Sequence, residues 1–182
     1  VVKEARPGVH VKAFTAVEIV EIARQGKVTV EQALADLIEA GLDSLPGGGI
    51  EILSDRVHAE LFGKKLNGEE WKDVARAACK LGLKQYATML YGHIEQPWHR
   101  VDHLCRLREL QDETGGFTAF ICWTFQPENA VLKAPTVGAH EYLRMQALAR
   151  IYLDNIPSIQ SSWVTQGLDV GQVALRHGAN DL

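Results

Sequence analysis

The feature that most constrains the fold is a regular alternation of short apolar runs with amphipathic helical stretches. The strand candidates cover residues 8–14, 42–45, 84–92, 117–125 and 158–164. Strands that alternate with helices pair in parallel through right-handed crossovers. The sequence therefore predicts an α/β fold of about five βα units. That number fits a doubly wound sheet, or part of a (β/α)₈ barrel, which needs about 250 residues.

Capping signals and apolar spacing define the helices. Thr29 with Gln32 predicts one helix start, and Asn67 with Glu70 predicts another. Residues 97–116 predict a third helix with Val101, Leu104 and Cys105 facing inward, and two more are expected near residues 140–154 and 170–178.

Composition narrows the functional classes. The chain has 182 residues and a formal charge of −4, so neither nucleic acid nor an anionic membrane is an expected partner. No apolar run is long enough to span a membrane and the start lacks a signal-peptide pattern, so we expect a cytoplasmic protein. The sequence begins with Val rather than Met, and we therefore expect the chain to be a piece of a longer protein. The oligomeric state is left open.

The cysteines and four of the histidines lack the spacing of a metal site. The cysteines, Cys79, Cys105 and Cys122, match neither a disulfide framework nor a short-spaced metal motif, and we expect all three to be reduced. Among themselves, His58, His99, His140 and His177 form no His-x-x-x-His or Glu-x-x-His pattern. We assign no metal site to the chain.

In either α/β architecture, ligands bind beyond the carboxyl ends of the strands. The triplet Gly47, Gly48 and Gly49 stands there, and it matches neither a Walker loop nor Gly-x-Gly-x-x-Gly. Glycines of this kind let the main chain approach a ligand closely, although the local sequence favours a plain turn.

Other strand-end residues have two interpretations each. Glu51 and Glu95 can bind a ligand or move protons, or they can stabilise a helix start. His93 can act as a base or serve as a hydrogen-bonded loop histidine. Trp123 and Trp163 are expected in the core, unless a barrel mouth lets them stack on a flat ligand.

Longer blocks of sequence carry a family resemblance. They are HVKAFTAVEI (10–19), AGLDSLPGGGIEILSDRV (40–57), ATMLYGHIE (87–95), RVDHLCRLRELQDETGGFTAFICWTFQPEN (100–129) and IQSSWVTQG (159–167). Together they resemble the radical S-adenosylmethionine enzymes of the futalosine route to menaquinone. WTFQPEN favours the cyclic dehypoxanthinyl futalosine synthases over their sister group, the aminofutalosine synthases. The related deazaflavin synthases usually replace the second and third glycines of the triplet.

The resemblance implies a radical S-adenosylmethionine barrel, here a partial one. Its cofactors would be S-adenosylmethionine and a [4Fe–4S] cluster, its substrate a nucleoside-like small molecule, and its reductant an external electron donor. A radical derived from S-adenosylmethionine would abstract a ribose hydrogen from dehypoxanthine futalosine, and the substrate would then cyclise. Thr88-x-Leu90-x-Gly92-x-x-Glu95 resembles a degenerate form of the superfamily motif that touches the adenosine.

The resemblance also implies roles for residues at the strand ends. The cofactor-binding residues would be Gly47, Gly48, Gly49, Gly92 and Glu95. The catalytic candidates are Glu51, His93 and Gln126. The substrate-binding candidates are Thr124, Asn129, Thr165 and Gln166.

One departure from the family pattern is serious. The family holds its cluster with a Cys-x-x-x-Cys-x-x-Cys triplet near the N-terminus, and this sequence contains none. Cys122 stands where the family commonly has proline. We therefore expect a single domain, the middle and later part of the barrel, that cannot cleave S-adenosylmethionine by itself. The rival interpretation is a non-catalytic barrel fragment that binds nucleoside-like ligands.

Overall fold

The computed structural model describes residues 2–63 and 66–182. Its centre is a parallel four-stranded sheet with the strand order β1-β2-β3-β4. The strands are β1 (Ser44–Leu45), β2 (Lys84–Tyr91), β3 (Phe117–Thr124) and β4 (Ser158–Gln160). Each strand lies beside its predecessor in the chain, without the order reversal of a doubly wound sheet. The predicted α/β class is confirmed, and the sheet is consistent with part of an α/β barrel.

Helices connect the strands and flank the sheet. They are α1 (Val2–Ala5), α2 (Ala16–Gly26), α3 (Val30–Glu39), α4 (Asp55–Phe62), α5 (Gly68–Lys80), α6 (Pro97–Thr114), α7 (Ala139–Tyr152), α8 (Trp163–Gln166) and α9 (Leu168–Ala174). No helix among the described residues is both long and apolar enough to cross a membrane.

The two faces of the sheet have different surroundings. On one face, Ala87, Met89 and Tyr91 of β2 are fully buried, as are Phe120 and Cys122 of β3. Helices α5 and α6 contact β2, and α7 contacts β3. On the other face Trp123 is 42% exposed. The core therefore lies between the sheet and these helices, and the opposite face is less completely covered.

Helix starts follow the predicted capping chemistry. Asn67 and Glu70 form a reciprocal capping box at the start of α5. Thr29 accepts a hydrogen bond from the Gln32 N–H at the start of α3. Thr15 and Glu18, which also follow a strand candidate, cap α2 in the same way. Side-chain oxygens here satisfy main-chain donors that the first helical turn leaves unpaired.

Three parts of the predicted strand and helix pattern are wrong. Residues 8–14 make no regular strand: a single bridge joins Lys12 to Ser44, and Phe14 then takes a left-handed φ of 62° that ends the extended segment. The strand predicted at 158–164 ends at Gln160, because the Ser162 carbonyl accepts the N–H groups of Thr165 and Gln166 in a helical turn. Helix α4 forms in a stretch where the sequence predicted no helix.

The inward face of α6 was predicted only in part. Leu104 is fully buried, as expected, whereas Val101 and Cys105 are half-buried. The buried stripe runs instead through His103, Leu107 and Leu110, which have i, i+4, i+7 spacing.

Candidate functional site

The glycine triplet lies directly beyond β1, packed beside β2. Gly47 has φ 81°, its carbonyl accepts the Thr88 hydroxyl at 3.2 Å, and an added Cβ would lie 1.9 Å from the Tyr86 carbonyl oxygen. Gly49 also has a left-handed φ, of 106°. At Gly48 an added Cβ would meet nothing closer than 3.6 Å. Gly47 is therefore needed for packing, while Gly48 could carry a methyl group in ordinary contact with Thr15.

Glu51 continues this loop towards the end of β2. Its main chain has a left-handed φ of 59°, and its carbonyl accepts the Leu90 N–H at 2.7 Å. A positive φ is uncommon for a residue with a side chain, and it is held here by the surrounding structure. The main chain of this predicted catalytic residue is thereby anchored beside the segment that carries Gly92 and His93.

Glu95 organises the turn beyond β2. Its carboxylate accepts the Gly92 N–H at 2.7 Å and the His93 N–H at 2.8 Å. Burial favours the neutral acid, but these N–H groups and the nearby charges of His93 and Arg100 outweigh it and lower the pKa of Glu95. The turn is therefore built around a buried carboxylate anion.

Gly92 is the tightest point of this turn. It has φ 89°, and an added Cβ would lie 2.2 Å from a methyl group of Val137. No larger residue fits without moving the segment before α7. The motif spacing from Gly92 to Glu95 thus has a physical cause, because the carboxylate binds the N–H of the glycine three residues earlier.

His93 is held at both ring nitrogens. Its Nδ1 lies 2.8 Å from the Ile94 main-chain nitrogen and 3.0 Å from a carboxylate oxygen of Glu95, and its Nε2 lies 3.0 Å from the Leu90 carbonyl oxygen. Burial lowers the pKa of His93, although the Glu95 carboxylate opposes the shift. The ring also lies edge-on to Phe125. In this arrangement His93 fixes the loop.

Arg100, which the sequence analysis missed, completes the carboxylate site. Its Nε donates to Glu95 at 2.8 Å, its NH1 donates to Glu141 at 2.6 Å, and the guanidinium stacks 4.6 Å from the centre of the Tyr91 ring. Its side chain is 15% exposed. The sequence signal that could have revealed Arg100 is a glutamate at a strand end followed by an arginine in the first turn of the next helix, since a buried carboxylate needs a cation.

His103 is the second residue that was missed. It is fully buried on α6, and its Nδ1 accepts the Leu53 N–H at 2.9 Å. Burial lowers its pKa to about 3, so the imidazole is neutral. It ties the loop carrying Glu51 to α6. Its position in one stripe with Leu107 and Leu110 could have predicted from the sequence that it is buried.

A second, neutral cluster lies beyond β3 and β4. The Thr124 hydroxyl accepts the side-chain amide of Gln126 at 3.0 Å and that of Gln166 at 2.8 Å. Three predicted site residues, from β3, the loop after it and α8, therefore meet at one hydroxyl group. Thr165 lies in the same turn as Gln166, and its hydroxyl pairs with that of Ser162 at 2.7 Å.

Asn129 does not join this cluster. It lies on the exposed part of the loop after β3, with a left-handed φ of 61°. Across the described ranges, no hydrogen bond connects its side chain with Thr124 or Gln166.

The cysteines do not fit an iron–sulfur cluster. In the part of the chain that the structure describes, no group of three His, Cys, Asp or Glu side chains is arranged to hold a metal ion. Cys122 is fully buried beneath the helices, and burial raises its thiol pKa. A protonated, buried thiol is a poor metal ligand. Cys79 and Cys105 are half-buried on α5 and α6.

Comparison with known proteins gives a consistent result. Residues 114–182 match the family described as CofH/MqnC C-terminal region. A cyclic dehypoxanthine futalosine synthase of Halalkalibacterium halodurans is 43% identical over 99% of this chain and 49% of its own length. An aminodeoxyfutalosine synthase of Thermus thermophilus is 45% identical over 99% of this chain and 50% of its own length. The chain is thus similar to futalosine synthases over nearly its whole length.

This confirms the resemblance inferred from the sequence blocks. The chain spans about half the length of the curated relatives it matches. A third relative, a 5-amino-6-(D-ribitylamino)uracil–L-tyrosine 4-hydroxyphenyl transferase of Methanococcus maripaludis, is 42% identical over 96% of this chain and 50% of its own length. Since these identities differ by so little, they do not select one reaction among the relatives.

Proposed function

We propose that the chain is the middle and later part of a radical S-adenosylmethionine barrel that cyclises dehypoxanthine futalosine in menaquinone biosynthesis. The observation that carries the proposal is the turn beyond β2, where the Glu95 carboxylate binds the N–H groups of Gly92 and His93. The family resemblance assigns Gly92 and Glu95 to the cofactor site. A turn built around a buried carboxylate, with no room for a side chain at Gly92, fits that assignment.

The residues beyond β1 and β2 would hold the cofactor. Gly48, where an added Cβ would meet nothing closer than 3.6 Å, would let the main chain approach an adenosine closely, and Glu95 fixes the turn that carries Gly92. S-adenosylmethionine, bound to a reduced cluster, supplies one-electron cleavage chemistry. In this chain Glu51 and His93 would orient the ligand or move a proton at this edge of the sheet.

The residues beyond β3 and β4 would hold the substrate. Gln126 and Gln166 both use their NH₂ groups on Thr124, which turns their amide oxygens towards other hydrogen-bond donors. Ribose hydroxyl groups are such donors. This arrangement supports Gln126 and Gln166 as groups that position the nucleoside sugar for hydrogen abstraction, which requires accurate placement.

The cluster would be held by a segment outside residues 1–182. The described cysteines do not fit it, and the resemblance places its ligands before the region matched here. Reading the coding sequence upstream of Val1 tests this most cheaply. An in-frame Cys-x-x-x-Cys-x-x-Cys agrees with the proposal, and a start codon directly before Val1 contradicts it.

The biochemical test uses the longer protein that carries this chain, reconstituted with iron and sulfide. We expect it to consume dehypoxanthine futalosine in the presence of S-adenosylmethionine and a reductant, and residues 1–182 alone serve as the matched control without a cluster. Conversion of neither futalosine-pathway substrate would refute the proposal. A stable, S-adenosylmethionine-responsive cluster on residues 1–182 alone would refute the assignment of the cluster to another segment.

An aminofutalosine synthase of the same pathway is the second candidate. The 45% identity to the Thermus thermophilus aminodeoxyfutalosine synthase favours it as strongly as the 43% identity favours the cyclase. Offering both substrates to the reconstituted protein separates the two reactions. Production of aminodeoxyfutalosine, with dehypoxanthine futalosine left unchanged, would replace the first candidate by the second.

A further inference from the structure

Two tryptophans from neighbouring segments line one cavity at the carboxyl ends of β3 and β4. The cavity has a volume of about 350 Å³, and its lining includes Ile121, Trp123, Gln160, Ser162, Trp163 and Thr165. It opens on the sheet face opposite the helix-covered core. Small-molecule sites have volumes in this range, are mostly apolar, and carry a few polar groups that orient the ligand.

Both indoles are incompletely buried. Trp123 is 42% exposed and Trp163 is 41% exposed, although tryptophan is usually a strongly buried residue. Neither stacks on another protein ring in the described parts of the chain. Each therefore presents aromatic surface to the cavity, where it can pack against a flat ring.

Local packing holds Trp163 in place. Helix α9 crosses close to it at Gly171, where an added Cβ would lie 2.7 Å from the Trp163 Cβ. Trp123 is held by the ladder of β3, in which it is paired with Leu90. Both rings are thus carried by fixed main-chain segments, as a site that recognises a rigid ring requires.

The polar groups of the cavity lie beside the rings. The Ser162 and Thr165 hydroxyls are 2.7 Å apart. The side-chain amide of Gln160 makes no hydrogen bond within the described ranges, although the residue is half-buried. These groups can bind the polar substituents of a ring that packs between the indoles.

We infer that Trp123 and Trp163 form the binding site for the aromatic ring of the nucleoside-like substrate. The inference rests on the proposed function and adds the residues that recognise the ring. The adenine of S-adenosylmethionine is the other flat ring to consider. The proposed cofactor residues lie beyond β1 and β2, roughly 10 Å across the sheet from β3 and β4. The substrate ring therefore fits this cavity better.

The test measures ligand affinity in the longer protein that carries this chain. Dehypoxanthine futalosine, benzoate as a bare ring probe, and S-adenosylmethionine are titrated separately by calorimetry. Trp123→Leu and Trp163→Leu are each expected to weaken the first two ligands about 5–10-fold and to leave S-adenosylmethionine unchanged. Trp98→Leu is the matched control, because Trp98 is 62% exposed and lies outside the cavity; it is expected to change none of the affinities.

Two outcomes would overturn the inference. In one, the Trp123 and Trp163 variants bind all three ligands like the wild type; in the other, they lose only S-adenosylmethionine. Circular dichroism checks that each variant is folded, and Trp163→Phe, which retains a smaller ring, should fall between wild type and Trp163→Leu. If benzoate binding depended on the two indoles but neither futalosine substrate were converted, the proposed function would be refuted and the ring site would be supported. If a futalosine substrate were converted but binding did not depend on the indoles, the proposed function would be supported and the ring site would be refuted.

Discussion

The two halves of the sheet end in different chemistry. Beyond β1 and β2 the groups are charged, buried and interlocked, with Glu95 binding two N–H groups and the Arg100 guanidinium. Beyond β3 and β4 they are neutral and partly open, with Thr124 joining two glutamine side chains. A locked, charged turn suits a constant partner such as a cofactor, whereas neutral amides and rings suit recognition of a particular substrate.

The largest effect on stability should come from breaking the charged group of residues beyond β1 and β2. Arg100→Ala leaves the Glu95 carboxylate buried without its cation, and we expect a loss of about 3–5 kcal/mol in the free energy of unfolding. Urea unfolding at neutral pH measures it. Arg106→Ala is the matched control on the same helix, since Arg106 pairs with Asp102 at the surface; its expected cost is below about 1 kcal/mol. Equal losses in the two variants would show that Arg100 has no special role.

Substitution within the glycine loop should be the next largest. Gly47→Ala places a Cβ against the Tyr86 carbonyl at a left-handed φ, and we expect a loss of about 3 kcal/mol. Gly48→Ala has room for its methyl group, with an expected change within about 0.5 kcal/mol. Thermal unfolding of both variants checks the contrast. If Gly48→Ala were the more damaging, the division of the loop into a packed and an open glycine would be wrong.

A drop in pH should weaken the charged end through His103. In the folded protein the pKa of His103 is lowered to about 3, whereas in the unfolded chain it is about 6.5. Between these two pH values the unfolded chain binds a proton at His103 and the folded protein does not. The contribution of His103 to the free energy of unfolding is therefore fully present above pH 6.5 and is lost as the pH falls towards 3. At pH 5 the expected loss is about 2 kcal/mol. Urea unfolding at pH 7.5 and pH 5 measures the decline.

His103→Asn provides the comparison for this pH effect. Its amide oxygen can still accept the Leu53 N–H, but the side chain does not titrate. We expect lower stability at pH 7.5 and a smaller loss between pH 7.5 and pH 5. An unchanged loss in the variant would assign the pH dependence to other groups.

The smallest change in stability should come from the neutral end. Thr124→Val removes the hydroxyl that joins Gln126 and Gln166, and we expect a loss of about 1 kcal/mol. Thr124→Ser keeps the hydroxyl and is the control. In the reconstituted longer protein, Thr124→Val should raise KM for the substrate more than it lowers kcat. A fall in kcat without a change in KM would argue against a substrate-positioning role.

The sequence predicted the centre of the sheet more accurately than its edges. Strands β2 and β3 contain enough apolar and β-branched residues to be read locally. The segment at residues 8–14 and the end of β4 are fixed by single bridges to other segments, Lys12 to Ser44 and Gln160 to Asp181, which no local pattern reveals.

The same distinction applies to the candidate site. Strand-end position selected Gly92, Glu95, Thr124 and Gln166, and the structure places them in two hydrogen-bonded groups. Arg100 and His103 were missed because both lie on helix α6, away from the strand ends that selected the other candidates. Their partners, Glu95 and Leu53, come from other elements, so only the folded chain shows that these two polar groups are buried for a reason.

The most direct test of the division between cofactor and substrate ends compares two variants of the longer protein. Affinities for S-adenosylmethionine and for dehypoxanthine futalosine are measured in Glu95→Gln and in Trp163→Leu. We predict that Glu95→Gln weakens only S-adenosylmethionine and that Trp163→Leu weakens only the futalosine substrate. If each variant weakened both ligands equally, or if the two effects were exchanged, the assignment of the two strand ends would be contradicted.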